Sequence, residues 1–150
     1  MGKRVIVVGG GIAGMQTALK LSAGGVSALL LERDADLGGK LTGWHKLFPS
    51  FTPAHEVLDE LRRRLAASDV EVRTRCEVAE VARDGVMLST GERLEADAVV
   101  VATGFTLFDA RIKEEYGYGI YDNVYTTVDI ERMLNEGRVA LKDGTAPRRI

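Results

Sequence analysis

The chain has 150 residues, 20 basic against 22 acidic side chains, a formal net charge of -2, 45% hydrophobic residues and 28% charged ones. These values suit one globular domain spanning residues 1–150, and the charge balance gives no reason to expect nucleic acid or an anionic membrane surface as a partner. No apolar run approaches the roughly 20 residues of a bilayer span and no leader precedes the first charged residues, so a cytoplasmic chain without a membrane span is expected.

The first element is Arg4–Val8, RVIVV, a β-branched run without polar alternation, as in a strand buried on both faces of a parallel sheet. It runs into GGGIAG. From Ile12 to Ala23 apolar residues recur at three and four positions, which predicts a helix ending at Gly24 and Gly25. A second apolar run, Val26 to Leu31, ends at Glu32. Strand, glycine turn, helix and strand make a βαβ unit.

Arg33 to Phe51 shows neither period and contains Gly38, Gly39, Gly43 and Pro49, so it reads as an irregular functional loop. Thr52 then reads as an N-cap with Pro53 at the first helical position, and Val57, Leu58, Leu61 and Leu65 mark one face of a helix ending near Ala67. On it, Arg62 to Arg64 read as a solvated face, with i to i+4 pairs Asp59–Arg63 and Glu60–Arg64. His55 reads as a surface residue.

Between Val70 and Ala98 the period becomes two. Antiparallel strands are expected over Val70–Val78, Val86–Leu88 and Arg93–Leu94, with turns at Asp84-Gly85 and Thr90-Gly91. AVVVA, Ala98–Ala102, returns to the parallel sheet before Thr103 and Gly104. Thr106 to Tyr125 has no clear period, and a short helix follows Thr127 and stops before Gly137. The fold class is therefore α/β, a Rossmann-like parallel sheet with a small antiparallel meander.

The chemistry is concentrated in Gly9-x-Gly11-x-x-Gly14. The first glycine permits the tight turn, the second lets a pyrophosphate reach the backbone, and the third allows close helix packing. The first helical residues, Ile12 and Ala13, supply N–H groups at the positive end of the helix dipole. Glu32 lies 21 residues after Gly11, where its oxygens can accept from the adenosine ribose and would repel a 2'-phosphate. Arg33 adjoins it. Gly10 is outside the three required positions and reads as relief of crowding.

Gly38-Gly39-Lys40 follows Glu32 after five residues, placing a second flexible turn near the phosphate end of the site. That arrangement resembles flavin adenine dinucleotide enzymes more than nicotinamide dehydrogenases, and the resemblance implies that Gly39 lets the backbone pass the pyrophosphate while Lys40 neutralises it. The strand meander before AVVVATG is similar to the FAD domain of the glutathione-reductase-like group. In that group the backbone at the position of Val78 meets the adenine edge, and Ala102, Thr103 and Gly104 return toward the nucleotide.

VVGGGIAGMQTALKLSAGG, LLERDADLGGK and above all ATGFTLFDARIKEEYGYGIYDNVYTTVDIERML resemble the flavin-binding region of the A-type iron-sulfur flavoprotein subunit of heterodisulfide reductase. The resemblance implies an FAD-dependent electron-transfer protein working with other redox subunits. Members of that family often carry cysteine between the glycine pair and the next helix, whereas LTGWHKLFPSFTPAHEVL has none, and the family runs on beyond PRRI, so a truncated domain or short paralogue is expected. Two other readings stay open, a nicotinamide or other dinucleotide-binding module without its own turnover, and a subunit-interaction piece that has lost its cofactor.

The single cysteine, Cys76, cannot form an internal disulfide or by itself supply a metal or cluster site, and reads as a small buried residue. Trp44, His45 and Lys46 fit either the flavin side of the site or a loop anchor. Tyr116, Tyr118, Tyr121 and Tyr125 read as local packing, ahead of a partner surface. No catalytic residue is assigned.

Overall fold

The computed structural model of the protein describes residues 2–149. Strand β1 (Arg4–Val8) leads into helix α1 (Ile12–Ala23) and strand β2 (Ser27–Leu31). A 3-10 turn at Gly39–Gly43, the short strands β3 (Lys46–Leu47) and β4 (Thr52–Pro53), and helix α2 (Ala54–Ala66) follow. Then come β5 (Glu71–Arg73), β6 (Val78–Ala82), β7 (Gly85–Leu88), β8 (Arg93–Glu95) and β9 (Ala98–Val101), two 3-10 turns at Ala110–Ile112 and Glu114–Tyr116, and helix α3 (Thr127–Asn135). The chain gathers into two compact units, one holding the residues up to Thr42 with Glu56–Gly104, the other Gly43–His55 with the residues from Phe105 onward.

In the first unit a four-stranded parallel sheet runs in the order β5-β2-β1-β9. β1 is central, with Val5 to Val8 buried, which is why its sequence carries no polar alternation. Helix α1 packs on β1 and β2 through a face that buries Met15, Ala18 and Leu19. β6, β7 and β8 form an antiparallel meander whose Val86, Leu88 and Leu94 pack on Ile6, Val8, Leu29 and Leu31 of the sheet. Each such aliphatic side chain contributes about 1.5–3 kcal/mol by leaving water. The fold is the α/β, Rossmann-like architecture expected, and the strand order reverses between β1 and β9. At such a switch point the carboxyl ends of the strands open a crevice.

Three local expectations are corrected. Val70–Val78 is not one antiparallel strand: β5 joins the parallel sheet beside β2, and only from Val78 does the chain pair antiparallel with β7. The break falls at Arg75, whose φ of +57° turns the backbone, with Arg75 N–H donating to Asp34 O at 3.0 Å and Cys76 N–H to Glu32 O at 2.8 Å. Thr52 is not a helix cap, because Thr52–Pro53 pairs antiparallel with Lys46–Leu47 and α2 starts at Ala54. The arginine triplet does not make the expected i to i+4 pairs; Arg63 pairs with Glu60, and Arg62 turns inward to the carbonyl of Leu37.

In the second unit α3 is closed by a capping box, in which Thr126 Oγ1 accepts from Asp129 N–H at 3.2 Å and Thr126 N–H donates to Asp129 Oδ2 at 2.9 Å. Two of the four tyrosines expected to pack locally, Tyr116 and Tyr121, are instead 73% and 69% exposed, while Tyr118 and Tyr125 are half-buried.

Candidate functional site

The end of β1 is held by close backbone contacts. Gly9 has φ +109°, and a Cβ there would lie 2.5 Å from the carbonyl oxygen of Ala102, so the Ala102–Thr103 backbone passes against bare glycine. Ala102 N–H donates to Val8 O at 2.8 Å, which brings Ala102, Thr103 and Gly104 to the same end of the sheet as the glycine turn. Gly14 meets the expected packing demand: a Cβ would stand 1.8 Å from Gly9 O, so no other residue lets α1 lie this close to β1.

Gly11 differs from both. Its φ of -74° is open to any residue, yet nothing lies within 4 Å of where its Cβ would be. It is also the N-cap of α1 and makes no side-chain cap. The helical ladder begins with Met15 N–H donating to Gly11 O at 2.9 Å, so the amides of Ile12 and Ala13 belong to the first turn, ahead of that ladder. Both residues are exposed. Two first-turn N–H groups beside an open Cβ position, at the positive end of a helix, are the kind of donors that suit an anion.

The second glycine turn lies directly on the first. Gly38 N–H donates to Gly10 O at 2.8 Å, Gly11 and Gly38 form a parallel bridge, and a Cβ on Gly39 would stand 3.3 Å from Gly11 Cα. Gly38 and Gly39 have φ of +135° and +52°, conformations glycine adopts at little cost. Lys40 follows, half-buried, in the 3-10 turn.

Glu32 is 6% exposed, the one buried charged residue among the described residues. Its Oε2 accepts from Gly10 N–H at 2.6 Å and its Oε1 from Asp34 N–H at 2.9 Å. Each oxygen keeps a further acceptor direction. The carboxylate thus has a role that the expectation of ribose contacts did not include: it ties the end of β2 to the glycine turn. Gly10 is required for the same reason, since a Cβ there would fall 2.8 Å from Glu32 Oε2 and 2.5 Å from a methyl of Leu37. Arg33 is exposed, 3.9 Å from Asp34.

Val78 opens the meander beside this corner. It is half-buried against the apolar cluster and pairs with Leu88, and β6 is irregular between Val78 and Glu80. Cys76 is also half-buried against that cluster, its thiol near Thr74 O at 3.4 Å. Arg75 and Glu77 on either side of it are exposed.

The crowding expected at Gly10, the middle glycine of the GGG run, is what the structure shows, while sequence reasoning passed over the roles of Leu37, Leu58 and Arg62. Nothing in local pattern signals that Leu58 of α2 packs over Gly38, where a Cβ would meet its methyls at 3.0 Å.

Within the second unit, His45 is bound to α3. Its N–H donates to Glu131 Oε2 at 2.6 Å, its Nδ1 lies 3.3 Å from Asn135 Oδ1, and Asn135 Nδ2 donates to Gly43 O at 3.0 Å. These bonds support the anchor reading of the Trp44–Lys46 loop. At the start of α3, burial acts to raise the Asp129 pKa, but hydrogen bonds from Thr126 and Tyr118 and the charge of Arg132 outweigh it and hold the carboxyl below its ordinary 3.8.

The model of the pyridine nucleotide-disulphide oxidoreductase family matches residues 3–131. The A-type subunit of the H(2)/formate:CoB-CoM heterodisulfide,ferredoxin reductase of Methanococcus maripaludis is 45% identical over 62 residues, 37% of this chain and 9% of that protein. An A-type iron-sulfur subunit of the CoB–CoM heterodisulfide reductase of Methanopyrus kandleri is 52% identical over 64 residues, 39% of this chain and 10% of that protein. The matched stretches therefore span about a tenth of these relatives' length. Among solved structures, thioredoxin reductase of Lactococcus lactis superposes with a TM-score of 0.62 at 22% identity, over 77% of this chain and 41% of that one, a likeness of fold. Among the described residues no helix is long and apolar enough to cross a membrane.

Proposed function

The chain belongs to the pyridine nucleotide-disulphide oxidoreductase family, and from that premise we propose that it is the FAD-binding part of an electron-transfer oxidoreductase similar to the A-type flavoprotein of heterodisulfide reductase. The family is one of FAD-binding flavoproteins. FAD supplies the redox chemistry at its isoalloxazine ring, and the protein binds and orients it. The observation that carries the reading is Gly11, a residue with ordinary φ whose missing side chain leaves open space at the head of α1.

In this reading the N–H groups of Ile12 and Ala13 bind the diphosphate over Gly11, with Gly9, Gly14 and Gly39 allowing the backbones to close around it. Lys40 adds positive charge. Glu32, already tied to two amides, turns its remaining acceptor directions to the ribose hydroxyls, with Arg33 beside it. The backbone at Val78 meets the adenine edge, and Ala102, Thr103 and Gly104 form the opposite wall. The relatives' names support partner redox subunits of a heterodisulfide-reductase-like complex, and the reading places the chain in the cytoplasm.

The chain, purified from an expressing host and denatured, should release a yellow chromophore whose mass is that of FAD. Release of a nicotinamide nucleotide, or failure of the apoprotein to take up added FAD, would overturn this reading.

A further inference from the structure

The Leu37–Gly38 peptide unit is held at both of its polar ends. Its N–H, that of Gly38, donates to Gly10 O at 2.8 Å, and its C=O, that of Leu37, accepts from the guanidinium of Arg62. Leu58 and Arg62 stand one helical turn apart on α2, so one face of the helix places methyls over Gly38 and a charge on the adjoining carbonyl. The triplet is not uniform: Arg62 is half-buried, whereas Arg63 and Arg64 are exposed.

A peptide preceding a glycine at φ +135° has little steric reason to keep one orientation, because no Cβ opposes its rotation. Flipping it would turn Gly38 N–H away from Gly10 O. A guanidinium on the carbonyl opposes that flip directly, and by polarising the peptide it strengthens the N–H donation at the far end. Gly10 is then fixed from two sides, with its carbonyl on Gly38 and its N–H on Glu32.

We propose that Arg62 is a positioning residue that locks the Leu37–Gly38 peptide and so holds the second glycine turn in register with the first. The consequence for cofactor affinity rests on the FAD reading above; the lock itself does not. It acts through the backbone of Gly38 and Gly10.

The test uses the whole chain and three variants, Arg62→Met, Arg62→Lys and, as an equal loss of charge from the exposed face, Arg63→Met. In the apoprotein, site-resolved amide exchange at Gly38 should quicken about tenfold in Arg62→Met, the scale of one lost charge-assisted hydrogen bond, with no change in Arg63→Met. FAD should bind about tenfold more weakly to Arg62→Met with displaced phosphorus resonances of its diphosphate, and Arg62→Lys, which keeps a donor, should recover most of both effects. Unchanged Gly38 exchange in Arg62→Met, or a lysine variant as loose as the methionine one, overturns the lock whether or not FAD binds. Faster exchange with unaltered FAD affinity overturns its bearing on the cofactor. Failure of the unsubstituted chain to bind FAD overturns the functional reading, while the exchange rates still decide the lock.

Discussion

Glu32 sends each carboxylate oxygen to a different backbone N–H, one on the glycine turn and one on the residue two beyond itself. An amide side chain cannot reproduce this, because Gln has one oxygen to accept and presents donors at the other position. Glu32→Gln should therefore destabilise the apoprotein by about 1–3 kcal/mol, the cost of a buried N–H left facing a donor, measured by chemical denaturation without nucleotide. Unchanged apoprotein stability would assign Glu32 to ligand contact alone. The acid was legible in the sequence from its spacing after the glycines, and Gly14 because it answers a steric demand made by Gly9 within the motif, whereas the demand on Gly9 comes from Ala102, far along the chain. Arg62 was not legible: an arginine in a run of three on an amphipathic helix looks the same whether it faces water or a carbonyl 25 residues away.

At the level of elements, β1, α1 and β2 could be read because a strand buried on both faces and a helix buried on one leave distinct periods, whereas β9 carries the same apolar run as an edge strand of the sheet, with none of its residues buried. Val70–Val78 misled for a related reason. Period two reports that side chains alternate, and says nothing of which strand the backbone bonds to, so the transfer from β2 to β7 across Arg75 left the pattern intact. Thr52 misled because an N-cap threonine and a β-bridge threonine before Pro53 are identical in composition. Helix α3 carries its own prediction. Asp129 is held below its ordinary 3.8, so its contribution to stability is full above that value and is lost as pH falls through the lower native one. Thermal melts of the unsubstituted chain and of Asp129→Asn should differ at neutral pH by the worth of the cap, about 1 kcal/mol, and converge on acidification. A difference that persists with the carboxyl protonated would show that the helix start is held by something other than this charge.

For the whole molecule, family membership covers residues 3–131, while the heterodisulfide reductase relatives match over about a tenth of their own length. Residues 3–131 contain a switch point between β1 and β9, two stacked glycine turns and a buried acid. Gly11 and Gly14 separate binding from folding within that part. A Cβ at Gly14 collides with Gly9 O and attacks the fold, whereas a Cβ at Gly11 has nothing within 4 Å. The decisive measurement is FAD titration, by quenching of flavin fluorescence, of the unsubstituted apoprotein and of Gly11→Val, alongside their thermal melts. The account predicts saturable one-site binding to the former, at least about a hundredfold loss in the latter from a blocked diphosphate seat, and a cooperative melt of the Gly11→Val apoprotein lowered only by the roughly 1 kcal/mol that valine costs at a helix N-cap. Equal binding by both would contradict it.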